Sequence, residues 1–159
     1  MKTNFLKFIA IMLIFAGSFS ACSKISELKN DSQVVNEPNL LANTKWKLVG
    51  IVDVETGKFT ELEPKDHKNV YTLMFHPNDS ISGLTTCRPV YGTYSRFSFI
   101  IRLNIIPFRI KEGGDGDLYV KTFETLSTFS RQGNELKLYY NDNKNYLLYK
   151  LIGGTNHEN

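Results

Sequence analysis

Phe97-Ser98-Phe99-Ile100-Ile101-Arg102-Leu103-Asn104-Ile105-Ile106 is the stretch that decides the fold class of this 159-residue chain. Phe97, Phe99, Ile101, Leu103 and Ile105 alternate with Ser98, Ile100, Arg102, Asn104 and Ile106 for longer than any other run. Successive side chains of a strand point to opposite faces of a sheet, so this period predicts a half-buried β-strand. The same rhythm spreads outward. Upstream, Trp46, Leu48, Gly50 and Val52 share one face and Val49 and Ile51 the other, before a turn at Glu55-Thr56-Gly57. Tyr71, Leu73 and Phe75 form a second row, ended by His76-Pro77-Asn78-Asp79, where proline removes a ladder donor. A third strand begins near Ser80, and Tyr91 to Tyr94 reads as extended. Downstream, Glu135 to Tyr140 and Tyr146 to Ile152 flank Asn141-Asp142-Asn143-Lys144-Asn145 as a hairpin with a multi-residue loop.

One segment breaks the alternation. After Gly113-Gly114-Asp115-Gly116, Asp117 is placed to cap a short helix in which Tyr119, Phe123 and Leu126 fall on a single face. The expected fold is therefore α+β, mainly antiparallel β: a curled sheet or small barrel or sandwich with one short helix packed against it.

The N-terminus carries an address. Lys2 and Lys7 precede an unbroken apolar run from Phe8 to Ala16, and Phe19-Ser20-Ala21 leads to Cys22. The run is shorter than the roughly 20 apolar residues of a spanning helix, so it reads as the removable core of a signal peptide. A cysteine behind small residues is what lipoprotein processing requires, since its thiol and its freed amine both take acyl chains. Residues 1–21 are thus expected to be a lipoprotein signal, 22–39 a lipidated cysteine and flexible tether, 40–152 the β-rich domain and 153–159 a loose tail. Ser23, rather than Asp, after Cys22 points to the outer membrane by resemblance to known lipoproteins.

The formal charge of +3 falls to +1 when Lys2 and Lys7 leave with the signal, and the remaining basic residues are scattered. A weak, dispersed charge of this kind excludes nucleic acid as the expected partner. Of the two cysteines, Cys22 is committed to lipid, which leaves Cys87 without an intrachain partner and expected as a buried small hydrophobe.

Several patches look familiar together. Leu41-Ala42-Asn43-Thr44-Lys45-Trp46-Lys47-Leu48, Tyr71-Thr72-Leu73-Met74-Phe75 leading to Ser82-Gly83 and Cys87, and Tyr91-Gly92-Thr93-Tyr94-Ser95 resemble the META domain (HslJ-like) family of bacterial lipoproteins. Phe123 to Leu126, Phe129, Gly133-Asn134-Glu135-Leu136-Lys137-Leu138 and Tyr146-Leu147-Leu148 are similar to that family's closing helix and strand pair. The resemblance implies a compact α+β domain in a cell-envelope lipoprotein, without assigned chemistry. Arg88-Pro89 follows Cys87 where the family commonly has Asn, and no second cysteine lies between Ile105 and Asp117, so the family's disulfide does not carry over. The competing resemblance is a lipocalin-like lipoprotein barrel, which would enclose a small apolar ligand.

Candidate chemistry is sparse. Cys87, His76 and Asp79 would make a nucleophile, base and orienting acid only if a strand end and its turn brought them together. Glu112, Asp115 and Asp117 crowd a glycine-rich loop, but the spacing lacks the distal Glu of a calcium loop, and helix capping is the simpler reading. The expectation is no enzyme, no cofactor and no metal. Tyr139, Tyr140, Tyr146 and Tyr149 concentrate on the final hairpin and form the candidate binding surface, suited to an envelope protein or glycan. Cross-strand aromatic pairing is the structural alternative. The expected function is a membrane-anchored envelope lipoprotein whose non-catalytic domain binds or supports another envelope component.

Overall fold

The alternating run becomes a strand over Ile100–Ile105, with Ile101 and Leu103 buried and Arg102 and Asn104 outward. It is shorter than its period predicts. In the computed structural model, which describes residues 39–107 and 109–154, residues 96–99 form a four-residue hairpin turn. Phe99 adopts a left-handed φ of 54° there, which ends the alternation and leaves Phe97 and Phe99 exposed.

Nine strands follow one another along the chain: β1 (Thr44–Asp53), β2 (Phe59–Thr60), β3 (Thr72–Phe75), β4 (Ser80–Leu84), β5 (Pro89–Ser95), β6 (Ile100–Ile105), β7 (Leu126–Gln132), β8 (Glu135–Tyr140) and β9 (Asn145–Gly153). A helix α1 (Gly116–Thr122) and one 3₁₀ turn (Phe123–Thr125) precede β7. All pairings are antiparallel. β1 joins β3 on one side and β9 on the other, so β1 and β3–β9 close into an eight-stranded barrel, with the two-residue β2 appended to β1. The seams are uneven. β1 and β9 pair from Lys45↔Gly153 to Asp53↔Asn145, whereas β6 and β7 share the single ladder pair Ile100↔Thr128.

Trp46 and Leu48 of β1 face inward as their spacing predicts, but a register shift between Leu48 and Gly50 lets Ile51 pack on the core as well. Trp46, Leu73, Phe75, Ile101, Leu136, Leu138, Leu147 and Tyr149 are fully buried in the barrel. Eight strands enclose a space just wide enough for side chains to fill, and here large ones fill it. Tyr119 of α1 joins them, edge-on to Tyr71 at 5.0 Å and to Phe123 at 4.9 Å, with its hydroxyl 2.6 Å from that of Tyr149.

The helix lies where the sequence places it, with two corrections. Asp115, not Asp117, holds the N-cap position, and its carboxylate accepts from the Glu63 amide at 2.8 Å rather than from the helix. Leu126 opens β7 instead of continuing the helical face. That strand carries one buried apolar residue, Phe129, among polar ones, so alternation did not reveal it. The final hairpin turns through Asn141, Asp142 and Asn143, all with left-handed φ, the conformation Asn and Asp tolerate best. β9 also runs on to Gly153, into what the sequence marks as tail. The expected signal peptide and nearly all of the tether lie outside the described residues.

Two glycines face neighbouring backbone in the curled part of the sheet. A Cβ on Gly83 would sit 2.1 Å from the Thr72 carbonyl oxygen, and one on Gly92 would sit 2.2 Å from that of Arg102. Gly92→Ala is expected to cost about 1–3 kcal/mol or more in urea unfolding, as overpacking against immobile backbone does. Gly113→Ala, with nothing within 4 Å of the added Cβ, is expected to unfold almost as the parent does.

Candidate functional site

The end of β4 and the start of β5 are joined by Thr85-Thr86-Cys87-Arg88, and the loop before α1 brings Glu112 against that turn. Glu112 is only 5% exposed. A buried carboxylate must be hydrogen-bonded and charge-compensated, and this one is. Its Oε1 accepts from Thr85 Oγ1 at 2.6 Å and from Arg88 Nε at 2.5 Å. Its Oε2 accepts from the Thr86 amide at 3.1 Å, from Thr86 Oγ1, and from Cys87 Sγ at 3.5 Å. Burial pushes the carboxyl up, but the donors Thr85, Thr86 and Arg88, together with the Arg88 charge, outweigh it and bring the pKa down to about 2. Glu112 is therefore an ionised clamp between two loops, not a proton donor near neutral pH. Nearby, burial first and then the carboxylates Asp115, Glu112 and Glu63 push the Tyr71 hydroxyl up to about 12, while it donates to the Glu63 carbonyl at 2.6 Å.

The other carboxylates of that loop are engaged separately. Asp115 holds the Glu63 amide, and Asp117 reaches Arg88 at 3.6 Å. Beside the clamp lies an open depression of about 390 Å³, lined in part by Glu63, His67, Cys87 and Gly114.

Cys87 is exposed at its rim, which corrects the expectation of a buried thiol. The inward positions of the turn are taken by Thr85 and the Glu112 carboxylate, so the sulfur is left outside, 3.6 Å from the Lys111 carbonyl. Cys87, His76 and Asp79 are not brought together. The turn holding His76 and Asp79 precedes β4 and Cys87 follows it, so a five-residue strand, about 16 Å long, separates them. His76 Nε2 lies 2.8 Å from Ser82 Oγ, and Asp79 Oδ1 accepts from Asn39 Nδ2 at 3.2 Å.

The tyrosines divide. Tyr149 is wholly buried in the barrel, a correction to its place in the candidate surface: its position along β9 faces inward, and its hydroxyl is spent on Tyr119. Tyr140 is half-buried against the core, and burial followed by the Asp53 charge raises its hydroxyl. Tyr139 and Tyr146 stand directly opposite on β8 and β9, with rings 5.6 Å apart and Lys137 Nζ 5.1 Å from the Tyr146 ring. These two make the cross-strand aromatic pair. Cys22 lies outside the described residues.

A second concavity, which sequence reading did not anticipate, sits at the opposite end of β5. It holds about 200 Å³ between the segment Asn39–Leu41 and the hairpin turn, with Arg96, Phe97, Phe99, Phe129 and Arg131 in its walls. The two exposed phenylalanines inside an alternating run were its only local signal.

No family model matches the chain. A protein of Tannerella forsythia named "Putative lipoprotein" is 33% identical over 141 residues, spanning 89% of this chain and 90% of its own. A match of that share takes in Cys22 wherever it is placed along 159 residues. The crystal structure of a DUF4847 family protein from Bacteroides vulgatus superposes with a TM-score of 0.53 at 11% identity, covering 70% of this chain and 94% of that one. The NMR structure of a protein from Burkholderia xenovorans gives 0.55 at 17% identity, covering 80% and 99%. At such identities these two structures share the fold alone.

Two outcomes follow from the clamp. Glu112→Ala removes the close, buried counter-charge of Arg88 and leaves it only the exposed Asp117 at 3.6 Å, and urea unfolding at neutral pH is expected to lose about 3 kcal/mol. Because the folded pKa is depressed from 4.5 to about 2, the parent keeps this stabilisation above pH 4.5 and sheds it as pH falls toward 2. The difference between parent and variant should therefore narrow over that interval. In a Cys22→Ala background, maleimide is expected to label Cys87 fully without denaturant, by intact mass; labelling that needs urea would place the thiol inside.

Proposed function

The chain belongs to the family of that Tannerella forsythia protein, and from this premise we propose that it is a cell-envelope lipoprotein, acylated at Cys22, whose barrel is a non-catalytic module that binds or supports another envelope component. The observation that carries the reading is the span of the family match, which includes Phe19-Ser20-Ala21-Cys22. The barrel's outer face fits a body standing in water. Lys45, Arg102, Asn104, Ser130 and Lys150 point outward from its strands, where a membrane-embedded barrel carries an apolar band. Anchorage then falls to lipid on the cysteine, and more than one acyl chain makes such an anchor stable.

The non-catalytic part of the reading is supported by side chains that are already occupied. Glu112 is locked in its ionised form, and Cys87 and His76 lie at opposite ends of β4. The META-like reading enters on the same patches: Trp46 lies in β1, Tyr91 to Ser95 in β5, and the closing helix leads through β7 into β8 and β9. Outer-membrane sorting rests on Ser23.

A lipocalin-like carrier is the second reading, and the eight-stranded barrel favours it to that extent. Trp46, Tyr119 and Tyr149 occupy the interior such a ligand would need, which weighs toward recognition on the outside. Growth of the native host with a clickable fatty acid tests the anchor. The full chain is expected to take up label and Cys22→Ala to lose it; equal labelling of the two would overturn the assignment.

A further inference from the structure

The hairpin between β5 and β6 departs from ordinary turn composition. Its tip, Arg96-Phe97-Ser98-Phe99, carries two phenylalanines that are 72% and 56% exposed, and Leu40 beside them is 53% exposed. Turns are ordinarily built from Gly, Asn, Asp and Ser. Phe99 moreover takes a left-handed φ of 54°, a conformation disfavoured for a bulky residue, so the aromatic side chain is held at the tip against local preference. Phe99 leans on Phe129 with rings 5.7 Å apart, and its carbonyl accepts from the Phe129 amide at 3.1 Å. The tip is braced, not loose.

Charge surrounds this apolar edge. Arg96 lies over the Phe97 ring at 5.2 Å, and among the described residues it forms no salt bridge and its buried Nε has no hydrogen-bond partner. Arg131, on the far wall, is already engaged by the carbonyls of Leu40 and Gly133 and stacks 5.3 Å over Trp46. No carboxylate lines the cleft, and Asp79 near its base is held by Asn39. With no salt bridge among the described residues, Arg96 sets an uncompensated positive charge beside an exposed apolar edge, the pairing that an anionic lipid interface complements.

The chain's own connectivity selects that occupant. Asn39, at the edge of the cleft, is tied to the barrel by Nδ2 donating to the Tyr94 hydroxyl at 2.6 Å. Sixteen residues separate it from Cys22. Even fully extended, such a segment reaches at most about 60 Å, so acylation at Cys22 would hold this end of the barrel at high effective concentration against the bilayer. A contact too weak to recruit a free protein suffices for a tethered one.

Resting on the lipoprotein reading above, we infer that the β5–β6 tip is a membrane-docking surface: Phe97, Phe99 and Leu40 enter the interface of the bilayer that holds Cys22, and Arg96 meets an anionic lipid headgroup. The test uses the full acylated chain reconstituted in vesicles of phosphatidylglycerol and phosphatidylcholine brominated on its acyl chains. With Phe97→Trp, the added indole emission, taken over the buried Trp46 of the parent, is expected to shift to the blue and be quenched by the brominated tails. Arg96→Glu in the same background is expected to reduce the docked population about fivefold or more, as loss of a basic contact with an anionic surface does. Arg96→Lys should retain docking, and unchanged melting temperatures would show that all variants fold. Unquenched, water-exposed emission from a chain that still floats with the vesicles overturns docking and leaves the anchor standing. A chain that does not float overturns the anchor, and the docking with it. An emission change produced by a short acyl carboxylate in detergent, with no quenching in vesicles, would assign the cleft to a free amphipathic acid and overturn the proposal.

Discussion

The pairing of β1 with β9 is the constraint on which the rest of this molecule depends. It joins the first and last long strands of the domain, with Trp46 opposite Leu151 and Leu48 opposite Tyr149, across about a hundred residues of chain. Without that seam, β1 and β9 would each expose a row of unpaired amides and carbonyls, the usual liability of an open sheet. With it, the inward rows of all eight strands meet and one continuous core results. Closure also explains why β1 needs a register shift. Ten residues that pair with β3, β9 and β2 must bend around the barrel, and a bulge between Leu48 and Gly50 supplies the bend.

Two further devices fasten the end of the barrel where α1 lies. The Tyr119 and Tyr149 hydroxyls satisfy each other in a fully buried setting, so the helix can place an aromatic ring inside without stranding a polar atom. The Glu112 clamp binds the β4–β5 turn to the loop that feeds the helix. Every acceptor position of that carboxylate is used by a neighbour, which is what makes a buried charge tolerable. One device orders the ring and the other orders its approach.

Much of this was legible residue by residue. Alternation located β1, β6, β8 and β9, because each has one buried and one wetter face, and β3 through its inward pair Leu73 and Phe75, although Thr72 on its other face is buried too. The run Asn141-Asp142-Asn143 announced its turn through residues that accept left-handed backbone. Failures occurred where distant contacts overrule local pattern. Phe97 and Phe99 continue the apolar period while lying in a turn, and β7 has too few apolar residues to show a period at all. Cys87 and Tyr149 were misplaced for the same reason: which side of a turn or strand is inward depends on partners 25 and 30 residues away in sequence, Glu112 and Tyr119. The fold class was readable from spacing, whereas the clamp and the cleft exist only in three dimensions.

The barrel has two dissimilar ends, and the direction of β5 separates them. At the Pro89 end stand α1, the Glu112 clamp and the acidic side chains Asp115 and Asp117; at the Ser95 end stand the apolar tip, Arg96 and Asn39–Leu41. Seven residues of strand, about 20 Å, lie between. Docking through the basic, apolar end, as inferred above, would present the opposite end outward, where Ile110 and Leu118 are exposed. Contact with a bilayer and contact with another envelope component would then use different surfaces and could be made together. This arrangement also gives the uneven seams a rationale: the dense β1–β9 ladder carries closure, so the sparse β6–β7 junction is free to let the hairpin tip project.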